Sequence, residues 1–586
     1  MTEIASWLAA AFGLTFAYPW ALMVSRRVSF PRRDPALTLS LTVALSLGVL
    51  AALMLWLAAW LRAPLRFGWV TALALGFHAA GWGVWWRTSV GRARRAPVDG
   101  GVGRAARPWW RQTSVAVALG LIALVGALTL FNAAYWPFRE SDTLAIYGPV
   151  SLRFVRTGEF YGGGMYDSYP VLVPLVFSYL HMAAGAPNPF AARFVVAALS
   201  LVTVGGAYGL GRALFGRTVG VTAAFLTVTT PVLTHWAAAG YTDLPAGAYY
   251  VLTALAAWKL YTSPHPLYAV LTGALAGLAA FSKNGALLLV GSLAGWVLYS
   301  HWAARWPDAE GRPIRARHVA LMVAAYAPTA GLWYGHVWVE YGWLVAPTGW
   351  IDQAQRTLRA LLEPLLNWRA YMAAGVFAVP ATLALLGWLW RTRPRFAARP
   401  ALLLGFALPF WGVWWGFFSY DPRFLMMIWA LLAVMSAWLL VALWRHLPQR
   451  AQRLAWRALP LVLIVLALPA TRQAVEYKYE LLRRPWLSEA ERYRIYVSPG
   501  YDAVLWLRGN APPDAAIMTT DGRLEYYIAI THSHVATRTP SEANLCYDYW
   551  LAHSGVSMQQ WEARGVIQPV FTRAGYTVYR VLHADP

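Results

Sequence analysis

The chain is short of what a soluble or secreted enzyme uses to hold itself together. It has one cysteine, Cys546, so no disulfide can close within it and a cysteine-based metal site is not expected. Lysine is nearly missing: Lys259, Lys283 and Lys478 are the only three, and every other basic residue is arginine. Charged residues fill only 13% of the 586 positions, where a soluble domain carries about 25%. Acids are the scarcest class, 26 against 49 Lys plus Arg, which leaves a formal charge of +23. These shortages exclude a disordered chain, a small disulfide scaffold and an ordinary soluble enzyme.

What is present is apolar: 59% hydrophobic residues, 15% of the chain aromatic. A helix needs about 20 apolar residues to cross a bilayer, and about fourteen runs approach that length. They cover 4–25, 38–61, 67–86, 113–134, 192–211, 218–236, 245–262, 267–282, 285–303, 319–338, 371–390, 401–418, 424–444 and 455–471. The first run starts after Glu3 and stops at Arg26-Arg27. A signal peptide has the opposite charge order, so this run is expected to be a retained helix with its N-terminus outside. Region 171–186 is also apolar, but Pro170, Pro174, His181, Pro187 and Pro189 interrupt it. It is expected to be an interfacial or re-entrant helix.

The positive charge is not a patch. Nearly all of the +23 falls in short connections at 26–37, 87–112, 212–217, 259–266, 304–318, 391–400 and 445–457. That is the positive-inside bias, and it predicts a multi-pass cell-membrane protein with both termini outside. Spreading over seven loops argues against a nucleic-acid partner. The expected organisation is 1–112, three extra N-terminal helices and a basic cytoplasmic loop; 113–471, a transmembrane core with an external loop at 135–191; and 472–586, a small soluble α/β domain outside. In that tail twelve basic residues balance twelve acids, which suits a solvated domain. Its expected strands are Ala515–Thr519, Val535–Thr537 and Tyr576–Val581, with helices at Tyr501–Arg508 and Ser557–Arg564. A stretch at 352–366, with Arg356, Arg359 and Glu363 opposite four leucines, is expected to lie on the outer leaflet after the Trp-rich strip 338–350.

A few charged residues lie where topology does not ask for them. The first external segment opens Trp136-Pro-Phe-Arg-Glu140-Ser-Asp142. Carboxylates so close to a span end are costly, which makes them functional candidates. One could take a proton from an acceptor hydroxyl. Together, with Asp243, they could instead hold a divalent cation such as Mg2+ or Mn2+ through oxygen ligands. The plainer reading is a solvated loop with Asp142 capping the next helix. Asp243, in the turn Gly240-Tyr-Thr-Asp-Leu-Pro245, could likewise be only a cap. Lys283, in Phe-Ser-Lys-Asn-Gly285, and Arg423, in Ser419-Tyr-Asp-Pro-Arg-Phe424, are cations on the acid-rich side. Either could serve a phosphate; a snorkelling lysine and an Arg423–Asp421 ion pair are the plainer alternatives.

From about residue 113 onward the order of these elements resembles the GT-C membrane glycosyltransferases. The likeness is to the branch with the protein O-mannosyltransferases, the lipid A aminoarabinose transferases and the bacterial RgtA/B/C/D-like enzymes. It rests on the acidic pair after the first core span, the Gly211-Arg-Ala-Leu-Phe-Gly-Arg217 turn, the Thr242-Asp243 turn, the Gly273-Ala-Leu-Ala-Gly-Leu-Ala-Ala-Phe-Ser-Lys283 segment, and the late Ser-Tyr-x-x-Arg-Phe turn. The resemblance implies a transferase that moves a sugar from a polyprenyl-phosphate-linked donor to a glycan, lipid or protein acceptor on the extracytoplasmic face. By position it implies Asp142 as catalytic carboxylate with Glu140 as competitor, Asp243 as the second acid, and Lys283 and Arg423 beside the donor phosphate. Relatives often carry adjacent Asp-Glu where this chain has Glu-Ser-Asp, so the base and any metal stay open. Tyr147, Tyr161, Tyr166 and Tyr169 could stack on sugars; aromatics at a membrane interface are otherwise belt residues. A transporter or flippase of a lipid-linked saccharide would show two similar halves with interrupted helices, and no such duplication is visible. A non-catalytic assembly protein would give Asp142, Asp243 and Lys283 no reason to meet.

Overall fold

The computed structural model describes residues 2–27, 34–61, 65–93, 113–158, 168–306, 309–345, 352–392 and 397–582. Among these, nine helices are long and apolar enough to cross a membrane, from Ile4–Ser25 to Gln449–Gln473. All nine coincide with runs among the fourteen expected from the sequence. The run 218–236 is cut at Thr230, whose backbone is extended, into Arg217–Val228 and Pro231–Ala238. Pro231 disfavours a helical residue before it and supplies no amide donor, so the helix must restart. Pro266–Ser282 is a shorter apolar helix, and Phe67–Ala93, Asp243–Thr262 and Ala316–Tyr326 are not among the nine.

The apolar region 171–186, expected as an interfacial or re-entrant helix, is covered by protein: of the thirteen residues of helix Leu172–Ala184 only Met182 and Ala183 escape full burial. It packs against Thr2–Thr15, Pro35–Leu61, Gly148–Thr157 and Pro189–Phe215. Its apolar surface is thus covered by protein, largely by N-terminal helices whose packing place no sequence pattern announces. Arg212 of the Gly-Arg-Ala-Leu-Phe-Gly-Arg turn pairs with Asp34, tying the N-terminal segment to the long helix Pro189–Phe215.

Gly273 and Gly277 lie one turn apart on Pro266–Ser282. A Cβ on Gly273 would stand 2.7 Å from the Met322 Cα, and one on Gly277 3.0 Å from the Tyr326 carbonyl oxygen. The bare glycines let helix Ala316–Tyr326 approach backbone to backbone, as small residues do between membrane helices. On the other side of the chain's turn, Arg359 and Glu363 pair at 2.7 Å on a helix that begins only at Leu358, where Thr357 accepts a capping bond from the Ala360 amide.

The C-terminal part is a five-stranded sheet in the order β2-β1-β3-β5-β4. Strands β1 Ala516–Thr519, β2 His534–Thr537 and β3 Tyr549–His553 run parallel, and β4 Ile567–Arg573 and β5 Tyr576–Val581 complete it antiparallel. Two of the five, β3 and β4, were not expected from the sequence. Strand β4 is an edge strand with mostly exposed side chains and Pro569 beside a register shift, so it lacks alternation; edges are where proline is tolerated. The sheet domain is bonded to the membrane core. The Tyr527 hydroxyl donates to the Phe138 carbonyl at 2.5 Å, and Arg156 donates to the carbonyls of Ala529 and Ile530.

Candidate functional site

The first loop is laced to the turn before helix Asp243–Thr262. Past the end of helix Thr113–Tyr135 the chain makes one wide turn over Thr143–Tyr147. Thr143 Oγ1 donates to the Ala239 carbonyl at 2.9 Å, the Asp142 amide donates to the Tyr241 hydroxyl at 3.0 Å, and Tyr147 and Thr242 share a hydroxyl bond at 3.0 Å. Burial, then the charge of Asp142, push the Tyr241 hydroxyl up to about 12. It therefore stays neutral and keeps its proton at physiological pH.

Neither candidate acid is a mere cap. Asp142 occupies a cap position, but its side chain makes no capping bond. Asp243 is the first residue inside its helix, 1% exposed, and its carboxylate pairs with the Lys283 ammonium. An acid in the first turn also sits well in the helix field. Arg423 is shared: Nη1 lies 3.1 Å from Asp142 Oδ2, Nη2 lies 3.2 Å from Asp421 Oδ2, and Nε lies 3.8 Å from Asp243 Oδ2. The last distance is too long for a hydrogen bond. Asp243 Oδ2 and Arg423 Nε are both buried without a hydrogen-bond partner. Aromatic rings hold the cations from the sides. Arg423 lies 4.7 Å from the Tyr241 centroid and 5.2 Å from that of Trp236, and Lys283 lies 4.3 Å from that of Phe424.

Four segments far apart in sequence thus bring Asp142, Asp243, Lys283 and Arg423 together. Asp142, Lys283 and Arg423 border a cavity of about 420 Å³. Its wall combines the charged Asp142, Lys283, Asp421 and Arg423, the apolar Leu288, Val345, Phe410, Val413 and Met427, and the tyrosines Tyr147, Tyr169 and Tyr420. Asp243 is not in the wall but behind the two cations. Glu140 is not in the wall either; its charge acts on Tyr496 instead. Among the described residues no three acids, histidines or cysteines gather as a metal cluster, so Glu140, Asp142 and Asp243 do not form one. Tyr161 and Tyr166 lie outside the described residues.

One residue escaped the sequence reading. Arg193, the fifth residue of Pro189–Phe215, is 2% exposed. It donates to the carbonyls of Ala238 at 2.5 Å, Trp136 at 2.8 Å and Pro137 at 2.9 Å, and to the Tyr496 hydroxyl at 2.9 Å. It pins both site loops and the sheet domain to one point. The available signal was an arginine at an apolar helix start on the acid-rich side.

Residues 168–328 match the family described as Dolichyl-phosphate-mannose-protein mannosyltransferase. No curated protein matches the sequence. Among solved structures, the fold is similar to that of ArnT from Cupriavidus metallidurans bound to undecaprenyl phosphate, with 14% identity and a TM-score of 0.55 over 80% of this chain and 99% of that one. The archaeal oligosaccharyltransferase AglB from Archaeoglobus fulgidus, in complex with an inhibitory peptide and a dolichol-phosphate, has 13% identity and a TM-score of 0.48 over 78% and 71%. The chain is a multi-pass membrane protein whose fold is similar to that of the solved ArnT structure.

Proposed function

We propose that this protein transfers a sugar from a polyprenyl-phosphate-linked donor to the hydroxyl of a glycan, lipid or protein acceptor on the extracytoplasmic face. The observation that carries this reading is one cavity whose wall joins two cations and two carboxylates with apolar side chains. A lipid-linked phosphate likewise joins a charged part to an apolar one. The oxygen of the acceptor attacks the anomeric carbon, the bond from that carbon to the phosphate oxygen breaks, and the electron pair leaves with the phosphate. Lys283 and Arg423 meet the charge that develops there. Asp142 takes the acceptor's proton. Tyr147 and Tyr169 face the sugar or acceptor, and Asp243 holds the two cations in place. The arginine-rich loops support an outward-facing cavity under the positive-inside rule.

Neither cation of the cavity wall is idle: Lys283 is paired with Asp243, and Arg423 with Asp142 and Asp421. An entering phosphate takes Arg423 from Asp142. The carboxylate is then released for the acceptor in the same event that fills the donor site. The test is release of polyprenyl phosphate from defined polyprenyl-phosphate sugars by the purified protein. Arg423→Lys keeps the charge but loses the fork that spans phosphate and carboxylate, and is expected to lower turnover about a hundredfold. Wild-type rates from Arg423→Lys would refute this use of Arg423, and no release from any donor would refute the transferase itself.

Metal removal has a definite expectation as well. Asp142 and Asp243 already face guanidinium and ammonium groups, and Glu140 does not join them. Turnover is therefore expected to persist in EDTA. Loss in EDTA with recovery in Mg2+ or Mn2+ would show that an ion displaces Arg423 from the acids.

A further inference from the structure

A second cavity, of about 220 Å³, lies apart from the first and is walled by Arg139, Arg472, Gln473, Val475, Glu476, Tyr477 and Lys478. Arg472 is in the last turn of helix Gln449–Gln473, of which only Ala467 and Ala470 are buried. A spanning helix so little covered by protein faces lipid, so this cavity opens where the helix leaves the bilayer. Its cations are not matched by acids. Among the described residues Arg139, Arg472 and Lys478 form no ion pair with a carboxylate. Arg139 lies over the rings of Tyr477 and Tyr496 at 5.7 and 5.4 Å, and Lys478 over Tyr479 at 5.4 Å.

The one acid in the wall turns inward. Glu476 Oε1 is 3.3 Å from His235 Nδ1, and Oε2 accepts the Tyr496 hydroxyl. Burial pushes its carboxyl up, but the bonds from His235 and Tyr496 and the charge of Arg193 bring it down to about 2. Its charge is answered inside the protein, and the mouth stays cationic. Directly beyond, helix Lys478–Arg483 and the turn after it present Tyr479, Leu482 and Trp486 at 68%, 80% and 93% exposure. Large aromatic and aliphatic side chains beside a spanning helix's end fit the headgroup level of a bilayer, not open water.

We propose that this cavity holds the phosphate of an anionic phospholipid headgroup, with Arg139, Arg472 and Lys478 as its cations and Tyr479, Leu482 and Trp486 resting in the acyl boundary beside it. Basic pockets at the ends of membrane helices bind headgroups in this way, through charge-assisted bonds. The proposal is independent of the transferase reading. It gives the lipid a place three residues along the chain from Asp142, on the backbone that enters the first cavity.

The test is native mass spectrometry of the full chain taken from vesicles of equal phosphatidylglycerol and phosphatidylcholine. Wild type is expected to retain phosphatidylglycerol several-fold over phosphatidylcholine. Arg139→Gln/Arg472→Gln/Lys478→Gln is expected to lose one retained phosphatidylglycerol, and Arg423→Gln to keep it. Equal retention by wild type and the triple variant overturns the proposal, as does loss in Arg423→Gln alone, which would put the lipid in the first cavity. If the triple variant does not fold, Arg472→Gln alone, at an exposed position, must lower retention or the proposal fails. Inorganic phosphate is titrated separately into detergent-solubilised protein. Saturation that depends on the three cations, without any preference among lipids, would make this a site for free phosphate and overturn the lipid assignment.

Discussion

Asp142→Asn is expected to lose about 10²- to 10⁴-fold in transfer rate, while Glu140→Gln stays near wild type. The sequence offers two carboxylates two residues apart and no way to choose between them. The geometry does separate them. Asp142 lines the cavity 3.1 Å from Arg423, and its backbone amide is held by Tyr241. Glu140 is outside that wall. The amide of Asn is nearly the same size and can still meet solvent, so the loss would come from the missing base and not from collapse. Single-turnover rates with a saturating donor, alongside donor affinity, check this. A severe loss in Glu140→Gln with full activity in Asp142→Asn would reverse the assignment.

The second large effect is on stability. Asp243→Asn leaves the Lys283 ammonium without its partner in a place with little water. Breaking one half of a buried pair costs about 3–5 kcal/mol. The variant is expected to unfold at clearly lower temperature and to lose transfer as well. Asp243→Asn/Lys283→Met removes both charges. It should regain most of the thermal stability and still not transfer, because no lysine remains for the leaving phosphate. If the double variant were as active as wild type, the pair would be a structural bolt only. If it were no more stable than Asp243→Asn, the coupling between the two residues would be absent. Thermal unfolding and turnover on wild type and these two variants give both readings.

Much of the site was legible because charge is so rare in this chain. A carboxylate at the end of an apolar run, or a cation on the acid-rich side, stands out, and Asp142, Asp243, Lys283 and Arg423 are legible in that way. Which of them touch was not legible. Asp243 and Lys283 pair across 40 positions, and Arg423 reaches back to both acids, contacts that only helix packing decides. Apolarity marks a segment as buried or lipid-facing without distinguishing the two, so the cover of N-terminal helices over Leu172–Ala184 is not readable from its composition. Arg193 was missed because an arginine at a helix start carries no pattern of its own; its meaning lies in three carbonyls and a hydroxyl brought from elsewhere. In the sheet, β4 gave no signal because an exposed edge needs no alternation.

The two glycines under helix Ala316–Tyr326 have a longer reach than their size suggests. Gly273 lies ten residues before Lys283 on the same helical path, which at the helical rise is about 15 Å. Any side chain there would have to push the Met322 backbone away. A helix is stiff along its axis, so that push would arrive at its far end as a shift of the ammonium against Asp243. The depth and heading of the cation are therefore metered like a gauge rod, from a contact of bare backbone nearly three turns below the place where the charge acts.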